Sequence, residues 1–140
     1  MSGSKLNILV IDGEYSSTSR LFQAFHHLKC KFPVKVTADA REALKIIETQ
    51  HRTEAHNLPR IILLNLDLSY INGIELRSQL SKIEDLPSIL VYLFTKEHNL
   101  SLVEYQFQHA IAGYILYPFE TELLEKKVST LIRFWEICEF

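Results

Sequence analysis

The run Ile61-Ile62-Leu63-Leu64-Asn65-Leu66 is apolar at nearly every position, so as a strand it is apolar on both faces. Such a strand must be covered on both sides, as a central strand of a parallel sheet is. The flanking sequence predicts that sheet. Leu6 to Ile11 is a short apolar run with Val and Ile, ended by Asp12-Gly13, and predicts strand one. From Ser16 to Cys30 the apolar residues Leu21, Phe22, Phe25 and Leu28 fall at helical spacing, and Ser16-Ser17-Thr18 offers caps. Val34-Lys35-Val36 predicts strand two, just after Pro33.

Asp39-Ala40-Arg41-Glu42 reads as a capping box opening a second helix through Ala43, Leu44, Ile46 and Ile47. His51 to Pro59 reads as a polar loop before strand three. A third helix is predicted over Asn72 to Ile83, with Ile74, Leu76, Leu80 and Ile83 inward, and strand four over Ser88 to Phe94. A fourth helix is predicted over Lys96 to Gln108, strand five over Gly113 to Leu116, and a last helix from Glu120 to about Glu136.

Five strand–helix units in this order imply an α/β domain: an open, mostly parallel sheet with helices on both faces. Ligands of such sheets meet the carboxyl ends of the strands, at the switch in strand order. Those ends hold Asp12, Asn65, Thr95 and Tyr117, so a functional site is expected there.

At 140 residues the chain is long enough for one domain with a substantial core. Its net charge of −2 gives no electrostatic reason to expect nucleic-acid binding. No apolar run approaches the roughly 20 residues of a membrane span, and the amino terminus lacks an apolar signal region, which points to the cytoplasm. Cys30 and Cys138 lie far apart, form no metal-ligand motif and read as reduced thiols. His26 and Cys30, four residues apart, read as structural rather than as a metal site.

The segment from Ile61 through Asn65-Leu66-Asp67 to Gly73 resembles the phosphoacceptor segment of response-regulator receiver domains. In that family an aspartate ends the third strand and a glycine follows eight residues later. Here Gly73 keeps the interval, but the strand ends on Asn65. The resemblance covers nearly the whole chain and implies a CheY-like, flavodoxin-like sheet of five parallel strands in the order 2-1-3-4-5, with five helices. It also implies what the site should contain. A carboxylate accepts the phosphoryl group, further acids hold Mg²⁺, and a hydroxyl and a lysine bind the phosphoryl oxygens.

Residue by residue, this chain departs from that pattern. Ile8-Leu9-Val10-Ile11-Asp12-Gly13-Glu14 is similar to the family's first strand and acidic pair, with Asp12 retained and Gly13 in place of the second acid. An amide such as that of Asn65 is a very poor nucleophile toward phosphorus, whereas a carboxylate forms an acyl phosphate. Asp67 stands where the family uses a backbone carbonyl on the metal, and its six-residue interval to Gly73 argues against a shifted acceptor. A register anchored on Pro87 puts Tyr92 at the hydroxyl position. The intervals of 30 residues from Asn65 and 22 to Tyr117 favour Thr95. Tyr117-Pro118 looks like the family's Lys-Pro, whose peptide bond is usually cis; the lysine is replaced by a ring that can fill the hole and a hydroxyl that can bond Asn65. Mg²⁺ binding is accordingly expected to be weak or absent, and no cofactor is expected.

Tyr114 holds the place of the aromatic that moves with the threonine in receivers, and a half-buried strand residue is its plainer reading. The helix predicted over Lys96–Gln108 carries Leu100, Leu102, Val103, Tyr105 and Phe107, more apolar residues than one buried stripe requires. With strand five and the last helix it forms the family's usual partner or dimer face. The ending Phe134-Trp135 and the long loop after the second helix resemble small receivers that partner cyanobacterial phytochrome kinases.

The expected function is that of a stand-alone, non-enzymatic receiver acting by phosphorylation-independent contacts. Its expected partners are a sensor histidine kinase, another receiver, or a second copy. The surface residues expected to act are Tyr114, Tyr105, Phe107 and Trp135, with Thr95 as the switch. A small-molecule-sensing domain using the sheet crevice is the alternative. Asp12-Gly13-Glu14 is a poor nucleotide fingerprint, and no output domain is expected after the last helix.

Overall fold

The computed structural model describes residues 6–13, 19–65, 73–95, 111–118 and 120–139. In chain order these hold β1 (Ile8–Ile11), α1 (Arg20–His27), β2 (Val34–Thr37), α2 (Ala40–Thr53), a 3₁₀ turn (Ala55–Asn57), β3 (Ile61–Asn65), α3 (Gly73–Ser81), β4 (Leu90–Thr95), β5 (Gly113–Leu116) and α4 (Thr121–Glu136). The strands form one parallel sheet in the order β2-β1-β3-β4-β5. This is the expected doubly wound sheet and strand order. The expected helix over Lys96–Gln108, with Tyr105 and Phe107, lies outside the described residues, as does Asp67.

The two-residue periodicity of the strands sorts the core into two layers. Leu9, Ile11, Ile62 and Leu64 pack with Ala43 and Ile47 of α2 and Leu76 and Leu80 of α3. Ile8, Val10, Ile61 and Leu63 pack on the other face with Leu21 and Phe25 of α1 and Leu124, Val128 and Trp135 of α4. All five residues of β3 are buried, as the two-sided apolar run requires. Full burial of each such side chain stabilises the fold by about 1.5–3 kcal/mol relative to exposure.

Local signals set the helix ends. Asp39 caps α2, its carboxylate accepting from Glu42 N at 2.8 Å, as the capping box predicts. The cap of α1 differs from expectation. Ser19 opens that helix, its hydroxyl accepting from Phe22 N at 3.1 Å, and the helix is shorter at both ends than its apolar spacing suggested. The expected polar loop from His51 is also corrected, because α2 runs on to Thr53 and the 3₁₀ turn follows. No described helix is long and apolar enough to cross a membrane.

Candidate functional site at the carboxyl ends of the strands

The sheet register gathers the expected residues at one end. Ile11 pairs with Leu64, so Asp12 and Asn65 follow each other at the ends of the neighbouring strands β1 and β3. Asn65 pairs with Phe94, and Thr95 ends β4 beside Leu116 of β5. Tyr117 follows directly, its N–H donating to the Thr95 carbonyl at 2.7 Å. Tyr92, the other candidate for the hydroxyl position, sits three residues before the end of β4 with its ring 5.9 Å from that of Trp135. Geometry therefore places Thr95, and not Tyr92, at the strand end.

Three of the expected residues at this end lie inside the protein: Asp12 and Thr95 are fully buried and Asn65 is 1% exposed. Burial without a partner is costly for a polar group, so the bonding of each matters. Asp12 is held at both ends of the residue. Its N–H donates to Thr37 O at 2.9 Å, and its Oδ2 accepts from Ser19 Oγ at 2.7 Å. The same Ser19 hydroxyl caps α1, so one side chain ties the acid to the helix start. Asn65 Oδ1, by contrast, has no hydrogen-bond partner.

The Tyr117 hydroxyl was expected to bond Asn65; at Asn65 Oδ1 it does not. The Tyr117 ring instead meets Phe94 edge-on at 6.1 Å, and the Arg20 guanidinium lies over it at 5.2 Å. Arg20 Nη2 also donates to Pro118 O at 3.1 Å. The chain thus has a cation beside the position where the family has its lysine, supplied by α1 and directed at a ring and a carbonyl. Nothing in the sequence spacing marks Arg20, whose contact spans 98 residues, and Ser19 is one of several adjacent hydroxyls fit to cap α1. Tyr117-Pro118 is trans, against the cis bond the family pattern suggested.

The receiver resemblance implies a Mg²⁺ ion at this end. Mg²⁺ favours carboxylate oxygens and near-ideal octahedral geometry. The described side chains offer the carboxylate of Asp12, one oxygen of which already accepts from Ser19, and the neutral amide oxygen of Asn65. Gly13 offers no side-chain oxygen. Among the described residues no group of three or more His, Cys, Asp or Glu could hold a metal. That donor set does not fit the ion as the family binds it.

The remaining expected residues separate. Tyr114 is 38% exposed on β5, a sheet-edge strand. Trp135, expected at an interaction surface, is 1% exposed and packs in the core under α1 and β4. Its place on the buried stripe of α4 with Leu124 and Val128 takes it out of reach of a partner. Its neighbour Phe134 is the exposed aromatic of that ending.

The model of the response regulator receiver domain family matches residues 8–129. Among curated proteins, the probable methanogenesis regulatory protein FilR2 of Methanothrix harundinacea is 24% identical over 128 residues, covering 91% of this chain and 82% of that protein. Among solved structures, the response regulator RPA3017 in red light signaling of R. palustris superposes with a TM-score of 0.78 at 16% identity, covering 96% of each chain. The phosphorylated cyanobacterial phytochrome response regulator RcpA superposes with a TM-score of 0.77 at 17% identity, covering 97% of each chain.

Proposed function

The chain belongs to the response regulator receiver domain family, and we propose that it serves two-component signalling through protein contacts that do not depend on phosphorylation. The observation that carries this reading is Asn65, a buried amide at the end of β3. The amide nitrogen's lone pair is delocalised into its carbonyl and does not attack phosphorus, so the acyl phosphate of a carboxylate has no counterpart here. Two further features support it. Gly13 removes an oxygen ligand for the metal, and Tyr117 removes the lysine that would bind a phosphoryl oxygen.

In this reading a set of bracing contacts stands in place of a switch. Arg20 braces Tyr117 and Pro118 from α1, and Phe94 closes the ring from β4. These contacts support a domain that holds one arrangement of the loop after β5. Output then depends on surface. Tyr114 and Leu116, 38% and 40% exposed on the edge strand β5, support docking there of a sensor histidine kinase, another receiver or a second copy.

Beryllofluoride with Mg²⁺ mimics a phosphoryl group on a receiver aspartate and tests this reading. Amide NMR spectra with and without the mixture are expected to superimpose. Saturable shifts clustered at Asp12, Asn65 and Thr95 would overturn the proposal.

A further inference from the structure

A cavity lies at the opposite end of the sheet from these residues. It has a volume of about 200 Å³ and is lined by Asn7, Leu9, Pro33, Lys35, Ile46, Gln50, Asn57 and Pro59. Asn7 immediately precedes β1, Pro33 precedes β2 and Pro59 lies just before β3, so these residues sit at the amino ends of three strands. Ile46 and Gln50, one helical turn apart on α2, form the roof, and the 3₁₀ turn closes one side through Asn57. Asp12 and Asn65 stand at the other ends of the same strands.

The chemistry of this cavity is mixed. Leu9, Pro33, Ile46 and Pro59 give it apolar walls, and Lys35 is its one charged lining residue. Gln50 is 8% exposed, and its Oε1 has no hydrogen-bond partner. A buried carbonyl oxygen left without a donor costs about 1–3 kcal/mol, and a bound donor recovers part of that. That oxygen is shielded from a water-sized molecule as it stands, and because the last torsion of a glutamine is broad, rotation of the amide presents it to a bound donor without leaving a rotamer well. The neighbouring polar groups have partners: Asn57 Nδ2 donates to Glu54 Oε2 at 2.8 Å, and Asn7 Nδ2 reaches His56 O at 3.4 Å. Gln50 Oε1 is thus the buried lining atom left to be satisfied, among the described residues.

We propose that this cavity binds a small organic carboxylate that also carries an N–H or O–H donor. The donor meets Gln50, the carboxylate meets Lys35, and a short apolar part lies between the prolines, Leu9 and Ile46. About 200 Å³ holds a molecule of such size, or several waters at roughly 30 Å³ each. The apolar walls favour the organic occupant, because water facing them lacks hydrogen-bond partners.

The test uses N-acetyl-L-alanine as the probe, titrated into the whole chain and followed by amide NMR up to about 10 mM, a range that resolves millimolar affinity. Saturable shifts are expected at Leu9, Lys35, Gln50 and Asn57, with none at Asn65. Gln50→Leu removes the acceptor at similar volume, and Ile46→Phe fills the cavity; each is expected to weaken binding tenfold or more while the spectrum stays folded. Lys35→Met is expected to weaken the acid at least fivefold and to leave the neutral N-acetyl-L-alaninamide unchanged. Absence of saturable shifts, or equal affinity in the folded Gln50→Leu and Ile46→Phe variants, overturns the proposal.

Discussion

Ser19 Oγ donates a 2.7 Å hydrogen bond to Asp12 Oδ2 inside the protein, and the same oxygen accepts from Phe22 N to cap α1. The one acid kept at the end of β1 is thereby part of the structure that starts the first helix. Loss of an N-cap costs about 0.5–2 kcal/mol, and loss of a hydrogen bond to a charged group costs about 1.5–3 kcal/mol. Ser19→Ala is expected to lower the unfolding free energy by about 2–5 kcal/mol in urea titrations followed by circular dichroism. A change below about 0.5 kcal/mol would show that the acid finds another partner at no cost.

Asn65→Asp returns a carboxylate to the end of β3 but not the metal ligand or the cation. The single variant is expected to show no phosphoryl adduct by intact mass after exposure to acetyl phosphate and Mg²⁺. The triple variant Gly13→Asp, Asn65→Asp, Tyr117→Lys is expected to gain one. An adduct in the single variant would show that Asp12 and the residues around it suffice.

The Arg20 guanidinium and the Tyr117 ring, 5.2 Å apart, are expected to be energetically coupled. A double-mutant cycle with Arg20→Met and Tyr117→Leu isolates the pair from the hydrogen bond to Pro118 O. The coupling expected for a partly exposed cation over an aromatic face is about 0.5–1 kcal/mol. A value of zero would mean that the ring contact adds nothing to the bracing of the loop by Arg20.

Burial pushes the Cys30 thiol above its ordinary pKa. The negative charge of Glu136 acts in the same direction, and a backbone hydrogen bond at Phe32 opposes both. A folded-state pKa above the unfolded one gives a contribution to stability that is complete below the unfolded value. That contribution is lost as pH rises above about 8.5, toward and through the folded pKa. Cys30→Ser is therefore expected to flatten the decline of stability at alkaline pH. Iodoacetamide at pH 8 is expected to label Cys30 more slowly in the native chain than in urea, read by peptide mass spectrometry.

Much of the architecture is legible in the order of residues. Strand β5 matches its predicted span, and strands β1 and β3 follow from apolar runs bounded by turn residues. The Asp39 cap is a local pattern, readable because its donor lies three residues away. Where local signals compete, sequence reasoning slips. Ser16, Ser17, Thr18 and Ser19 are all fit to cap, and the contact with Asp12 distinguishes Ser19 among them. An aromatic tail suggests a sticky surface, yet Trp135 lies on the buried stripe of α4 while Phe134 is exposed.

By itself the sequence determined the alternation of strands and helices, the two-sided burial of β3, and the amide at its end, because periodicity and residue chemistry are local properties. Tertiary structure alone decided which polar groups meet beyond the reach of a helical turn. Arg20 reaches Pro118 across 98 residues of chain, Ser19 holds Asp12, and Gln50 faces a cavity built from the starts of three strands. Such meetings depend on the packing of helices against a shared sheet, which places side chains in space irrespective of their separation along the chain.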